Sequence, residues 1–351
     1  MPGLIPPVYQ SRWRTKLVTA EALQHTGLRR VLRMIARRPR QSLTILAYHR
    51  VVAIGDERAF DSDLELVSAS PEQFDAQMAF IAREFTPITF ATLLECIDAG
   101  RSPPDNAAIV TFDDGFGDNY LHAFPILKHH RVPATIFLST GYLDRQEPYW
   151  FESLARMILT SNRPLALHDG LVLDTTLPLH RRRATVEQVL RYLKRIPDDA
   201  RLKFIERLES EAGSGVAHTP VDRLPMTWPQ VLEMAAAGIE FGSHTVDHPV
   251  LAQLDDAAVR RELRDSKLRI EQVLGKPAPI LSYPVGGAEA FDQRIRGIAL
   301  EAGYRMAVSY APGGNTWPAS DLFCLRRLRI ERYVPSSLFK AMASFPAVFS
   351  V

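Results

Sequence analysis

The chain has 351 residues, of which 46% are apolar and 23% charged. That length supports one large domain with an insertion, or two modest ones, around a sizeable core. A net charge of +2, with no basic run interleaved with aromatics in the body of the chain, gives no ground for a nucleic-acid partner. Cys96 and Cys324 lack the spacing of a zinc module or a disulfide framework and read as two free thiols.

Residues 1–41 form a basic arm containing Arg12, Arg14, Arg29, Arg30, Arg33, Arg37, Arg38 and Arg40. The opening stretch lacks the uninterrupted apolar core of a signal peptide. Nowhere does the run of about 18 apolar residues needed for a membrane-spanning helix occur. A cytoplasmic protein is therefore expected. From Thr26 to Arg37, Leu28, Val31, Leu32 and Ile35 recur at helical spacing with arginines between them. Such a helix either lies on an anionic membrane surface, here the inner face, or packs on its own domain with a solvated basic side.

From Ser42 onward, short apolar runs alternate with helical patterns. Leu43–Tyr48 predicts a buried strand. Pro71–Phe85 predicts a helix with Ser70 as N-cap and proline in first position. A second helix covers Phe90–Gly100 and is closed by its glycine. Ala107–Phe112 is a strand without polar alternation, as expected when both faces are covered. A helix over 118–130 and a strand over Ala134–Leu138 follow. The rhythm resumes after residue 225: helix 228–238, strand 239–243, helix 255–275, strand 279–284, helix 291–303, strand 305–309, and a last core strand around Leu325–Ile330. Alternation of this kind implies a parallel sheet with helical cover, and the count favours a closed or nearly closed barrel. Between Tyr142 and Leu224 the rhythm breaks into mainly helical text. It reads as an insertion, placed after a strand's C-terminal end, where active-site loops of parallel folds lie. The expected organisation is the arm followed by one domain, 42–351, with an insertion at about 143–225.

Two segments carry chemistry. Thr111-Phe112-Asp113-Asp114-Gly115 closes an apolar strand with two adjacent carboxylates, which are costly to desolvate unless paired or metal-bound. Adjacent side chains diverge in a strand, so one can bind a metal while its neighbour takes a proton from water. Gly115 permits a sharp turn. The second segment, Gly242-Ser243-His244-Thr245-Val246-Asp247-His248-Pro249, also follows a strand. Its two histidines, four apart, share a face if the segment makes a helical turn. Two imidazoles and a carboxylate give a three-ligand site of the kind zinc and similar metals use.

T-F-D-D-G followed by H-T-x-x-H-P, with the helix–strand rhythm between, resembles the polysaccharide deacetylases, the NodB-type domain of carbohydrate esterase family four. The resemblance covers about residues 42–141 and 226–333. It implies a distorted (β/α) barrel of about seven parallel strands and hydrolysis of acetamido groups on a glycan of exopolysaccharide or cell-envelope biosynthesis. By motif match it implies one divalent metal ion, Zn2+ first and Co2+, Ni2+, Fe2+ or Mn2+ as alternatives, held by Asp114, His244 and His248, with Asp113 as base. The segment Ser282-Tyr283-Pro284-Val285-Gly286 matches a third family motif. Val285 would offer its backbone N–H to an oxyanion, and Tyr283, Pro284 and Gly286 would border the substrate. Serine stands where the family often has an arginine that orients the base, and an arginine of Leu325-Arg326-Arg327-Leu328-Arg329-Ile330 is the candidate replacement. No histidine follows His248, although many members carry a late catalytic one. Ala47-Tyr48-His49-Arg50-Val51 resembles the Y-H-R-V signature of the exopolysaccharide subgroup, which implies His49 as the acid. Two further expectations stand beside the N-deacetylase: a non-catalytic carbohydrate binder on the same scaffold, and an O-acetyl esterase or cyclic amide hydrolase using the same metal site. Tyr149, Trp150 and Phe151 either stack on sugar rings or, as aromatic clusters at helical spacing more often do, lie in the core.

Overall fold

The computed structural model describes residues 7–25, 42–167, 171–213, 223–287 and 289–350. Seven strands form the centre: β1 Ser42–Tyr48, β2 Ala107–Phe112, β3 Ala134–Leu138, β4 Glu240–Ser243, β5 Ile280–Ser282, β6 Met306–Pro312 and β7 Leu325–Arg329. Each pairs in parallel with the next in chain order. β1 pairs in parallel with both β7 and β2, the latter from Leu43↔Ala107 through Tyr48↔Phe112. The sheet is therefore a closed seven-stranded parallel barrel. Two short strands extend it: Thr86–Pro87 runs beside β2, and Asn315–Thr316 pairs antiparallel with the start of β1.

The strands read as uninterrupted apolar runs because both of their faces are buried. Leu43, Ile45, Ala107, Ile109, Phe137, Ile280, Met306, Val308 and Leu325 make one cluster, the barrel interior. Their strand neighbours, among them Leu46, Tyr48, Val110, Phe112, Ile136, Leu138 and Leu328, make another with the covering helices. Helix α1 is Pro7–His25, α2 Pro71–Glu84, α3 Phe90–Asp98 and α4 Phe124–His130. Helix α2 starts with a capping box, Ser70 Oγ accepting from Gln73 N and Gln73 Oε1 from Ser70 N, followed by Pro71. In the insertion, α5 Trp150–Thr160, α6 Leu179–Leu193 and α7 Asp198–Ala212 surround a two-stranded ribbon, Leu165–Ala166 with Val172–Leu173, and share their own apolar cluster. Helices α8 Trp228–Ala236, α9 Asp256–Leu274, α10 Gln293–Glu301 and α11 Ser336–Ser344 complete the cover.

Some expectations change. The single helix over 118–130 is split: a wider π-type turn, Asn119–Ala123, precedes α4. Asp118 accepts from Arg50 Nε at 2.7 Å and Val51 N at 3.0 Å, and Asn119 Nδ2 donates to His49 O at 2.8 Å. Those tertiary bonds to the end of β1 compete with regular helix geometry at the first turn. The amphipathic stretch Thr26–Arg37 lies outside the described residues. Helix α1 packs on the C-terminal end, with Ala20 and Leu23 in the core cluster that holds Leu338 and Met342, and Lys16 Nζ donates to Ser350 O at 2.8 Å. Both cysteines are free, Cys96 buried and Cys324 half-buried. Among the described residues, no helix is long and apolar enough to cross a membrane.

Gly242, next to the Ser243-His244 end of β4, has no room for a side chain. A Cβ there would stand 2.7 Å from the Phe137 ring and 2.9 Å from Ile280 O. Gly242→Ala is expected to destabilise the fold by about 1–3 kcal/mol through overpacking. The loss would appear as a lower urea midpoint at unchanged slope.

Candidate active site

The C-terminal ends of the strands place the chemistry-bearing residues on one mouth of the barrel. Period-two alternation continues the interior face past the apolar layer, from Ile109 through Thr111 to Asp113, from Ile280 to Ser282, and from Leu325 to Arg327. Arg327, fully buried, there forms a fork on Asp113: Nη1 donates to Oδ1 at 2.8 Å and Nη2 to Oδ2 at 2.7 Å. Its Nε donates to Ser309 O at 2.9 Å and Nη1 also reaches Thr111 Oγ1 at 3.2 Å. Ser282 Oγ completes the arrangement, donating to Asp113 Oδ1 at 3.1 Å and accepting from Arg327 Nη2 at 3.1 Å. Burial works against ionisation of Asp113. The Arg327 and His244 charges and the Arg327 hydrogen bonds outweigh it, holding this carboxyl well below the usual range.

Asp114 faces the opposite environment. It is 1% exposed, and burial followed by the neighbouring Asp113 charge pushes its carboxyl well up. Its Oδ1 has no hydrogen-bond partner among the described residues, although it lies 3.5 Å from His244 Nε2 and 3.4 Å from His248 Nε2. His244 Nδ1 lies 2.7 Å from Ser282 O, an acceptor, so that nitrogen carries the proton and Nε2 presents a lone pair toward Asp114. Burial, ahead of neighbouring charges, lowers the pKa of both imidazoles, which favours the neutral form a metal requires. Ligand atoms of Asp114, His244 and His248 all lie within 4.8 Å of one another. Three buried side chains that converge in this way could hold a cation, and two imidazoles with one carboxylate suit zinc and its neighbours.

The segment His244–His248 is not the helical turn that the spacing allows. Thr245 and His248 have left-handed φ of 70° and 50°, and His248 N donates to Thr245 Oγ1 at 3.1 Å. A strained loop brings the imidazoles together with ring centroids 4.9 Å apart. Asp114 is left-handed too, with φ 71°, which turns its side chain away from that of Asp113. Gly115 follows at φ 85°.

His49 follows β1 and is half-buried, with Nδ1 3.4 Å from the Tyr310 hydroxyl. Burial pushes its pKa down to about 4 against an upward pull from Asp113. Val285 is left-handed at φ 64°, and its N–H has no acceptor among the described residues. Gly286 keeps this turn close to β6, since a Cβ there would stand 2.7 Å from Tyr310 N. The Tyr283 ring is turned into the core, stacked on Phe291 at 4.0 Å with its hydroxyl donating to Phe323 O. Pro284 is buried.

The three insertion aromatics are buried and brace the site. Tyr149 Oη donates to Asp114 O at 2.6 Å, Trp150 Nε1 to His248 O at 3.3 Å, and the Phe151 ring stands edge-on to His248 at 5.0 Å. The sequence reading left the partner of Asp113 open among three arginines. Strand alternation excludes Arg326, which is exposed, but leaves Arg327 and Arg329 on the face of Leu325; the tertiary contacts separate those two. It missed Lys194 altogether. This residue follows α6 in the insertion and is half-buried, near enough for its charge to act on Asp114, His49 and His248. No local pattern marks a lysine at a helix end as belonging to a distant site.

Comparison with known proteins identifies the family of this fold. Residues 100–307 match the family described as Polysaccharide deacetylase. YxkH of Bacillus subtilis (strain 168), which bears a polysaccharide deacetylase name, is 22% identical over 303 residues, 85% of this chain and 75% of its own length. A shorter match, 29% identical over 97 residues, covers 27% of this chain and 14% of the poly-beta-1,6-N-acetyl-D-glucosamine N-deacetylase of Escherichia coli (strain K12). Among solved structures, the Streptococcus pyogenes deacetylase PplD in complex with acetate shares the fold with a TM-score of 0.58 at 20% identity, over 87% of this chain and 99% of that one. Barrel, mouth and matches together define a carbohydrate-directed hydrolase. The chain belongs to the polysaccharide deacetylase family.

Removing Arg327 leaves the Asp113 carboxylate buried without its counter-ion. Arg327→Ala is expected to lower stability by about 3–5 kcal/mol, and Asp113→Asn in the same background to recover part of that loss. Urea unfolding of the two single variants and the double variant measures both.

Proposed function

We propose that this protein hydrolyses acetamido groups of a poly- or oligosaccharide with the help of one divalent cation held by Asp114, His244 and His248. The observation that carries the reading is the contrast between two adjacent buried carboxylates. Asp113 is clamped and ionised by Arg327, while the Asp114 oxygen facing two imidazoles has no donor. A pure binding protein has no use for that contrast. The N-acetylglucosamine polymer named for the Escherichia coli relative points to an N-acetylated glycan. In this reading residues 42–351 are one deacetylase domain with its insertion at about 143–225.

When bound, a divalent cation at such a site acidifies water and polarises a carbonyl. Zn2+ fits the donor set best, and Co2+, Ni2+, Fe2+ and Mn2+ use the same ligand types. Asp113 takes the proton of the attacking water. Arg327 holds it ionised and aimed, so it has no proton to lose first. The Val285 N–H, free of protein acceptors among the described residues, donates to the oxygen that gains charge, a contribution of roughly 3 kcal/mol in comparable sites. His49 passes a proton to the departing amine. Burial favours its neutral form, so the proton it passes on is the one that Asp113 takes from the attacking water. Water thus adds hydroxyl to the acetyl carbon and hydrogen to nitrogen, giving acetate and an amino sugar.

Asp113→Asn is expected to retain one equivalent of bound metal and lose turnover by about 10²–10⁴-fold, the range of general-base catalysis. Metal analysis and acetate release from N-acetylated oligosaccharides read the two quantities, and full activity in this variant would remove Asp113 from the base role. His244→Ala is expected to lose the metal and, with it, acetate release. Running an O-acetylated substrate beside the amide separates esterase from amidase action.

A further inference from the structure

The two histidines of the mouth are held in different ways. His244 is oriented through its own ring, Nδ1 against Ser282 O at 2.7 Å. Among the described residues His248 Nδ1 has no hydrogen-bond partner. Its ring packs against Phe151 and His244, with Nε2 3.4 Å from Asp114 Oδ1, and its place depends on the backbone that carries it. That backbone holds left-handed conformations at Thr245 and His248, which are strained in non-glycine residues. Something must fix the two residues between them.

The answer lies one helix away. Val246 N and Asp247 N both donate to a single atom, Glu262 Oε2, at 2.8 and 3.0 Å. Glu262 is half-buried on α9, beside the face of Val259, Leu263 and Ser266 that packs on the barrel. One turn further along, Ser266 Oγ lies 2.9 Å from Ser243 Oγ, so the same helix grips the residue just before His244. The other side of the loop is tied by Thr140 N to Thr245 O at 3.1 Å and Gly141 N to Val246 O at 2.9 Å. Arg145 on Asp247 is a surface pair and adds little. Of these contacts, only the Glu262 carboxylate engages both N–H groups between the left-handed residues.

We propose that Glu262 is a positioning residue for the cation site, setting through one carboxylate oxygen where His248 presents its imidazole. The inference rests on the metal reading given above. Because both N–H groups converge on one acceptor, the amide oxygen of Glu262→Gln can replace it, whereas Glu262→Ala leaves both donors without a partner. Co2+ added to the metal-free protein is the probe. Glu262→Ala is expected to weaken Co2+ binding by about 10–100-fold and to change the visible absorption of the bound ion, while Glu262→Gln stays within about threefold with the wild-type spectrum. In metal-free protein, amide exchange at Val246 and Asp247 should quicken in the alanine variant alone. Lys267→Ala, which breaks an α9 ion pair with Glu271, controls for general loosening of the helix. Wild-type affinity and spectrum in Glu262→Ala, or equal impairment of the glutamine and alanine variants, overturns the inference. Failure of the wild-type protein to take up Co2+ overturns the metal reading and this inference with it.

Discussion

Two carboxylates on consecutive residues, Asp113 and Asp114, are buried at the end of one strand, 2% and 1% exposed, and the rest of the mouth is arranged around that constraint. Like charges in a low-dielectric interior cannot both stay ionised without compensation. The fold answers each separately. The Arg327 fork and the Ser282 hydroxyl receive Asp113, and the left-handed turn at Asp114 rotates its carboxylate toward two neutral imidazoles. Closure of the barrel is what makes this compensation available. Arg327 belongs to the last strand and Asp113 directly follows the second, and they meet because β1 pairs with both.

Backbone strain gathers at the same place. Of the seven non-glycine residues with positive φ among those described, Asp114, Thr245, His248 and Val285 stand at the mouth. Such conformations persist where surrounding contacts over-determine them. Here the contacts come from three sources: Tyr149 on Asp114 O, Glu262 on the histidine loop, and the tight turn of Gly286 against β6. The insertion therefore contributes structure to the site as well as surface. Its first helix lays aromatics against the backbone and ring of one histidine, and its second ends in Lys194, whose charge reaches the same groups.

Ser282 shows how one departure from a family pattern is absorbed. Its carbonyl orients His244, and its hydroxyl bridges Asp113 and Arg327. An arginine on β5 is unnecessary when β7 supplies one to the same interior space, and the small serine leaves room for that long side chain. His49 is served in a similar way from a distance, since Asp118 and Asn119 anchor the peptide around it while distorting their own first helical turn.

The sequence by itself determined the barrel strands, their helical cover, and the Asp113-Asp114 and His244/His248 segments. Each of these is a local signal: uninterrupted apolar runs, caps such as Ser70-Pro71, and polar groups at strand ends. Only the tertiary structure decided that Arg327 clamps Asp113, that the histidines share a strained loop and not a helical turn, that Tyr283 turns into the core, and that Glu262 accepts from the histidine loop. Those outcomes depend on residues brought together from far apart in the chain, and no spacing along one segment encodes the distance between two strands of a closed barrel.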